Sequence, residues 1–187
     1  MAFLNSEQIK SMGFKSVGEN VQLSDKASYY NCKNISIGNN TRIDDFSVLS
    51  AGNDGIEIGN YVHIAIGVSV IGAAKISIMD FAGLSSRVSV YSSNDDYSGT
   101  FMTNPTIPTE FTNVTHGAVH IGKHAIVGSG AIILPNITVK DGVAIGALSL
   151  VNKDCEEFGI YIGTPAKKIK SRNRDLLSLE KELARRK

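Results

Sequence analysis

The stretch IGKHAIVGSGAIILPNITVKDGVAIGALSLV, residues 121–151, decides the fold. Its aliphatic residues Ile121, Val127, Ile133, Val139, Ile145 and Val151 recur every six positions, and four places beyond Ile121, Val127, Val139 and Ile145 stand Ala125, Ala131, Val143 and Ser149. A period of six matches neither the 3.6 of a helix face nor the 2 of a free strand. It fits a short strand with one inward side chain, followed by a corner that turns on a small or β-branched residue, three such sides closing one coil.

The same step extends back through Val17, Leu23, Tyr29; Ile37, Ile43, Leu49; Ile58, Ile64, Val70; and Ile78, Leu84, Val90. Seventeen of the eighteen slots are Ile, Leu or Val, residues that make up about a quarter of the chain, so chance does not fill them. Coils begin at 17, 37, 58, 78, 121 and 139, the shortest interval is 18, and every excess residue falls after the third side. Insertions therefore leave at one edge of a triangular prism. The expectation is an all-β protein, a parallel β-helix of about six triangular coils, each rising about 4.8 Å. A β-sandwich of short alternating strands would not keep an invariant step of six. Nothing in the spacing sets the hand of the coil.

Both ends of such a prism need a lid. Residues 1–16 offer a short helix from Asn5 or Ser6 to Met12, ended by Gly13, and residues 171–187 offer a second, Arg172 to Arg186, with Leu176, Leu179 and Leu183 on one stripe. The coils and their loop occupy 17–170. Residues 92–116 form the one long insertion, and a loop of this length is functional or disordered; Tyr97, Phe101 and Phe111 argue for order.

The 187 residues are 42% apolar and 20% charged, enough for a real core. Nineteen basic against eighteen acidic residues leave a net charge of +1, no footprint for gripping nucleic acid. No apolar run spans a bilayer, and MAFLNSEQIK lacks the pattern of a signal peptide. Cys32 and Cys155 are too few for a disulfide framework or a cysteine zinc cage. A cytoplasmic protein with no membrane insertion is expected.

The Ile-Gly-x-x-small-x hexads, the Asn152-Lys153-Asp154 turn and the closing Gly163-Thr164-Pro165-Ala166-Lys167 resemble the hexapeptide-repeat acyltransferases, above all the galactoside and maltose acetyltransferases and the polysaccharide O-acetyltransferases. The resemblance covers 17–170 and implies a left-handed prism, a homotrimer, and acetyl-CoA as donor to a hydroxyl of a saccharide. It places coenzyme A contacts at Ser85, Ser129, Ala147 and Asn152, with Lys167 and Lys170 near its phosphates, where small side chains open the backbone to the pantetheine arm and ammonium groups meet the phosphate charge. It also implies that loop 92–116 walls the cleft against a neighbouring subunit, which makes Asn94, Asp96 and Tyr97 candidates for touching the acceptor.

Acyl transfer further needs a group that takes the acceptor's proton. Asp95 falls where the galactoside enzymes carry their catalytic histidine, and Ala65 falls where they carry an asparagine, so the acceptor site does not transfer as a whole. Of the four histidines, His120 and His124 flank a hexad as surface residues. His116, at the end of the loop, and His63, beside the inward Ile64, are the candidate bases, with His116 slightly ahead. Asp95 or Asp96 is a candidate for orienting either imidazole. His116, His120 and His124, spread about 13 Å apart in an extended chain, do not suit one zinc ion, so no metal is expected. Two rivals stand beside O-acetylation: N-acetylation of a nucleotide-linked amino sugar, favoured by the missing family histidine, and a non-catalytic hexapeptide scaffold.

Overall fold

A computed structural model describes residues 2–186. It is a parallel β-helix with three faces, built of six, eight and six strands. Along the first face Val17, Ile37, Ile58, Ile78, Ile121 and Val139 lie in register from coil to coil. Leu23, Ile43, Ile64, Leu84, Val127 and Ile145 do the same on the second. Tyr29, Leu49, Val70, Val90, Ile133 and Val151 complete the third. The three aliphatic columns meet on the prism axis. Residues such as Ile43, Ile64 and Val127 are fully buried, each stabilising the fold by roughly 1.5–3 kcal/mol relative to exposure.

The corners explain the rest of the motif. At the edge between the first and second faces, Asn39, Asn60 and Asp141 each turn Oδ1 toward the preceding coil and accept a backbone N–H at 2.7–2.8 Å, from Glu19, Asn39 and Lys123. That is why Asn or Asp follows the Ile-Gly pair or stands in its place. Gly38 is required by a close approach, since a Cβ there would meet the Gly59 carbonyl carbon at 2.6 Å. Thr41 and Ser47 are buried at corners, and their hydroxyls donate to the carbonyls of Gly59 and Ala65 one coil on. On the same edge Tyr61, Phe81 and His124 stack in a ladder, with ring centroids 5.1 and 4.8 Å apart.

All six expected coils are present, and a shorter seventh turn follows them. Cys155 bridges to Val139 and Tyr161 pairs with Ile145, both side chains entering the core. Burial pushes the Cys155 thiol up to about 11, which makes it a core atom and not a nucleophile.

The termini differ in part from expectation. Helix α1 spans Ser6–Ser11, and Asn5 caps it in a reciprocal box with Gln8. The C-terminal helix does not begin at Arg172. Residues Lys167–Ser171 instead return as an antiparallel strand on Gly159–Ile162, and α2 spans only Leu176–Arg185. Antiparallel pairing closes the parallel sheet on this face, and an Asn173 to Asp175 side-chain turn separates the strand from the helix. Lys123 and His124 both bond Glu180 of α2, so His124 is a docking residue for the helix.

Loop 92–116 is ordered by its own hydrogen bonds. Ser93–Asn94 pairs antiparallel with Thr115–His116, and Asp96 accepts from Ser98 and from the backbone N–H of Phe101.

Candidate active site

The coil register stacks one residue from each successive turn on the outside of the second face. Arg42, His63, Gly83, Ile126, Ala144, Ile160 and Lys170 form one column. Because Gly83 has no side chain, and a Cβ there would meet nothing within 4 Å, space opens directly above His63. The result is a groove of about 380 Å³ lined by His63, Ala65, Gly83, Ser85, Ser86 and Ser129, with Ile126 alongside. Three residues singled out from the sequence, His63, Ser85 and Ser129, thus come together.

Ser86 was missed by the sequence reading. It is the ladder neighbour of Ser129 at the edge between the second and third faces, where Gly130 N–H donates to the Ser86 carbonyl and Leu148 N–H to that of Ser129. Ala147 continues this edge on the next coil and is exposed, as are Asn152, Lys167 and Lys170 farther along. His63 and Lys170 stand five strand spacings apart, about 24 Å, so beyond Arg42 the column runs from the His63 imidazole to the Lys170 ammonium group.

His63 is oriented by a residue that the sequence did not single out. Its Nε2 lies 2.9 Å from Oδ2 of Asp44, whose Oδ1 accepts from Arg42 Nε at 2.7 Å. Burial works to raise the Asp44 carboxyl, but the hydrogen bonds and charges of Arg42 and His63 outweigh it and hold the group below the ordinary carboxylate range.

Asp95 and Asp96 do not take the orienting role within one chain. Asp96 is spent on its own loop, where the Ser98 and Phe101 donors lower its pKa, and Asp95 is exposed. His116, also exposed, shares a 2.8 Å hydrogen bond between its Nδ1 and the Ser93 hydroxyl. Asn94 and Tyr97 sit on the same insertion, Tyr97 almost wholly exposed. The loop leaves the edge between the third and first faces, away from the second-face groove, so a single copy does not bring these residues to His63.

A wider hollow of about 760 Å³ opens between α1 and the first coil. Ser6, Lys10, Glu19 and Asn20 supply its polar lining, and none of the chemistry-bearing residues reaches it. Among the described residues no group of three or more His, Cys, Asp or Glu is placed to hold a metal ion, and no helix is long and apolar enough to cross a membrane.

A coiled prism with a serine-lined, histidine-bearing groove on one face defines an enzyme of the hexapeptide-repeat class. The chain is 58% identical over 180 residues, 96% of its length and 94% of the relative's, to the dTDP-4-amino-4,6-dideoxy-D-glucose acyltransferase of Escherichia coli. It is 30% identical over 69% of its length to the putative lipopolysaccharide biosynthesis O-acetyl transferase WbbJ of Escherichia coli, covering 64% of that protein. Among solved structures, the N-acyltransferase AntD of Bacillus cereus, in a serine variant complexed with dTDP-4-amino-4,6-dideoxyglucose and coenzyme A, superposes with a TM-score of 0.96 at 44% identity, covering 100% of this chain and 99% of that one. No protein-family model matches the chain. The chain belongs to the hexapeptide-repeat acyltransferases, enzymes built on the left-handed β-helix, and is itself an acyltransferase.

Proposed function

We propose that this enzyme moves an acyl group, acetyl in the simplest case, from coenzyme A to the 4-amino group of a nucleotide-linked sugar of the dTDP-4-amino-4,6-dideoxyglucose kind. The observation that carries this is the 58% identity with the Escherichia coli acyltransferase over nearly the whole of both chains. The hydroxyl acceptor anticipated from the sequence gives way to an amine. Variants of AntD replace one serine and one aspartate at the separation in sequence that Ser85 and Asp95, and equally Ser86 and Asp96, have here, which supports a place for such a pair in the site.

In this reading coenzyme A lies along the second face with its thioester near His63 and its 3′-phosphate near Lys167 and Lys170. The sugar amine, once neutral, attacks the thioester carbonyl. The hydroxyls of Ser85 and Ser129 offer donors to the oxyanion that develops. His63 takes the proton released from nitrogen and returns it to the coenzyme A sulfur as the carbon–sulfur bond breaks, so the products are the amide and the free thiol. Loop 92–116 of a neighbouring copy in a homotrimer brings Asp95 to the ammonium form of the acceptor, with Asn94, Asp96 and Tyr97 around the sugar. Exposed Phe46, Ile66, Ile132 and Leu148 supply apolar surface for that assembly. The reaction belongs in the cytoplasm.

The deciding experiment follows thiol release from acetyl-CoA with dTDP-4-amino-4,6-dideoxyglucose or with maltose as acceptor. The amino sugar is expected to react faster by about tenfold or more in kcat/KM. Equal rates, or a preference for maltose, would return the enzyme to O-acetylation, and no turnover of either would overturn the amino-sugar assignment and place the acceptor outside both classes.

The cofactor end is tested separately. Lys167→Ala and Lys170→Ala should each weaken coenzyme A binding about two- to tenfold, as expected for exposed charge-assisted contacts. Calorimetry with dephospho-coenzyme A should show a smaller loss. Equal losses for the two ligands would move these lysines away from the 3′-phosphate.

A further inference from the structure

We propose that Asp44, backed by Arg42, is a positioning residue that sets the ring tautomer of His63 and so presents Nδ1 as the proton-accepting nitrogen. This rests on the reading of His63 as the base.

Asp44 comes from the coil below His63, and its side chain is only 9% exposed whereas that of His63 is 53% exposed. The carboxylate therefore lies behind the imidazole and does not reach the acceptor itself. A carboxylate is acceptor-only, so the ring nitrogen facing it at 2.9 Å must carry the proton. In the neutral ring that nitrogen is Nε2, and Nδ1 is left with its lone pair for the groove.

Arg42 makes the arrangement one-directional. Its Nε donates to the other carboxylate oxygen, and its guanidinium lies 5.5 Å from the Phe3 ring, which braces it from the outside. A carboxylate held by arginine on one oxygen keeps its charge when the imidazole on the other gains or loses a proton. The adjacent Asp45 shows what a purely structural carboxylate looks like on this coil. It takes the Ser24 hydroxyl on Oδ1, has Lys26 at 3.9 Å from Oδ2, and touches no histidine.

The test reads the tautomer directly and activity alongside it. In ¹⁵N-labelled protein, long-range ring couplings should show neutral His63 as the Nε2–H form in the wild type, and Asp44→Asn should remove that preference. With acetyl-CoA and dTDP-4-amino-4,6-dideoxyglucose, Asp44→Asn should lower kcat about tenfold, as loss of an orienting partner does, and leave both KM values within about twofold. Introduced into His63→Ala, the same substitution should cost nothing further.

Wild-type His63 found as the Nδ1–H form overturns the proposal without any variant. So do losses from Asp44→Asn and His63→Ala that multiply. Failure of the underlying reading looks different: His63→Ala would stay fully active while Asp44→Asn still changed the tautomer, leaving the pair as a structural contact alone.

Discussion

His63→Ala is expected to lower kcat for N-acylation about 100-fold, at the lower end of what a positioned general base contributes. Two features keep the effect from being larger. An amine is already a strong nucleophile once neutral, and water in an open groove accepts its proton in place of the imidazole. The dissociation constant for coenzyme A should stay within about twofold, because the contacts proposed for Ser85, Ser129 and the lysines do not involve the ring. His116→Ala should cost much less, since the ring that bonds Ser93 has no carboxylate behind it. His120→Ala should leave turnover near the wild-type value. Rapid-mix measurements of a single turnover check the assignment, because they separate the chemical step from product release. Full single-turnover activity in His63→Ala would remove His63 from the mechanism.

The fold was legible because an inward slot on the prism axis admits little except Ile, Leu or Val, and those eighteen positions print the period directly into the chain. The seventh turn was not legible for the same reason. After Val151 the next inward residue arrives early, at Cys155, and the turn uses Cys155 and Tyr161 in place of aliphatic side chains. The strand Lys167–Ser171 carries no apolar alternation, being exposed along its whole length, so the leucine stripe beyond it drew the helix start back to Arg172.

Of the groove residues, His63, Ser85 and Ser129 were legible in the sequence; Asp44, which bonds His63, was not. A single Asp-Asp pair beside an arginine is no motif, and only coil register brings residue 44 beneath residue 63. That signal was present: once coils begin at Ile37 and Ile58, Arg42 and His63 hold equivalent positions, and a carboxylate two places after Arg42 lies on the same outer face. Asp95 and Asp96, candidates for orienting a histidine, do not meet His63 within one chain, where Asp44 holds that place. Loop hydrogen bonds are local and unpatterned, and the sequence does not reveal that Asp96 is already engaged by Ser98 and Phe101.

Mixing two impaired variants should recover activity, and this is the sharpest test of a site shared between copies. Asp95→Asn removes the carboxylate proposed to meet the ammonium group and should by itself lower kcat/KM about 100-fold. His63→Ala disables the other half. In one chain the loop leaves the edge between the third and first faces whereas His63 stands on the second, so in the proposed trimer each complete site draws His63 from one copy and Asp95 from its neighbour. When the two variants are co-refolded in equal amounts and assemble at random into cyclic trimers, about a quarter of the sites combine an intact His63 with an intact Asp95. Activity should therefore rise from about a hundredth of the wild-type value to about a quarter. If the loop served its own copy, every site would carry one lesion and mixing would change nothing. A mixture that remains at the level of the separate variants, with mixed trimers verified by native mass spectrometry, would place Asp95 and His63 in one subunit's site or remove Asp95 from the reaction.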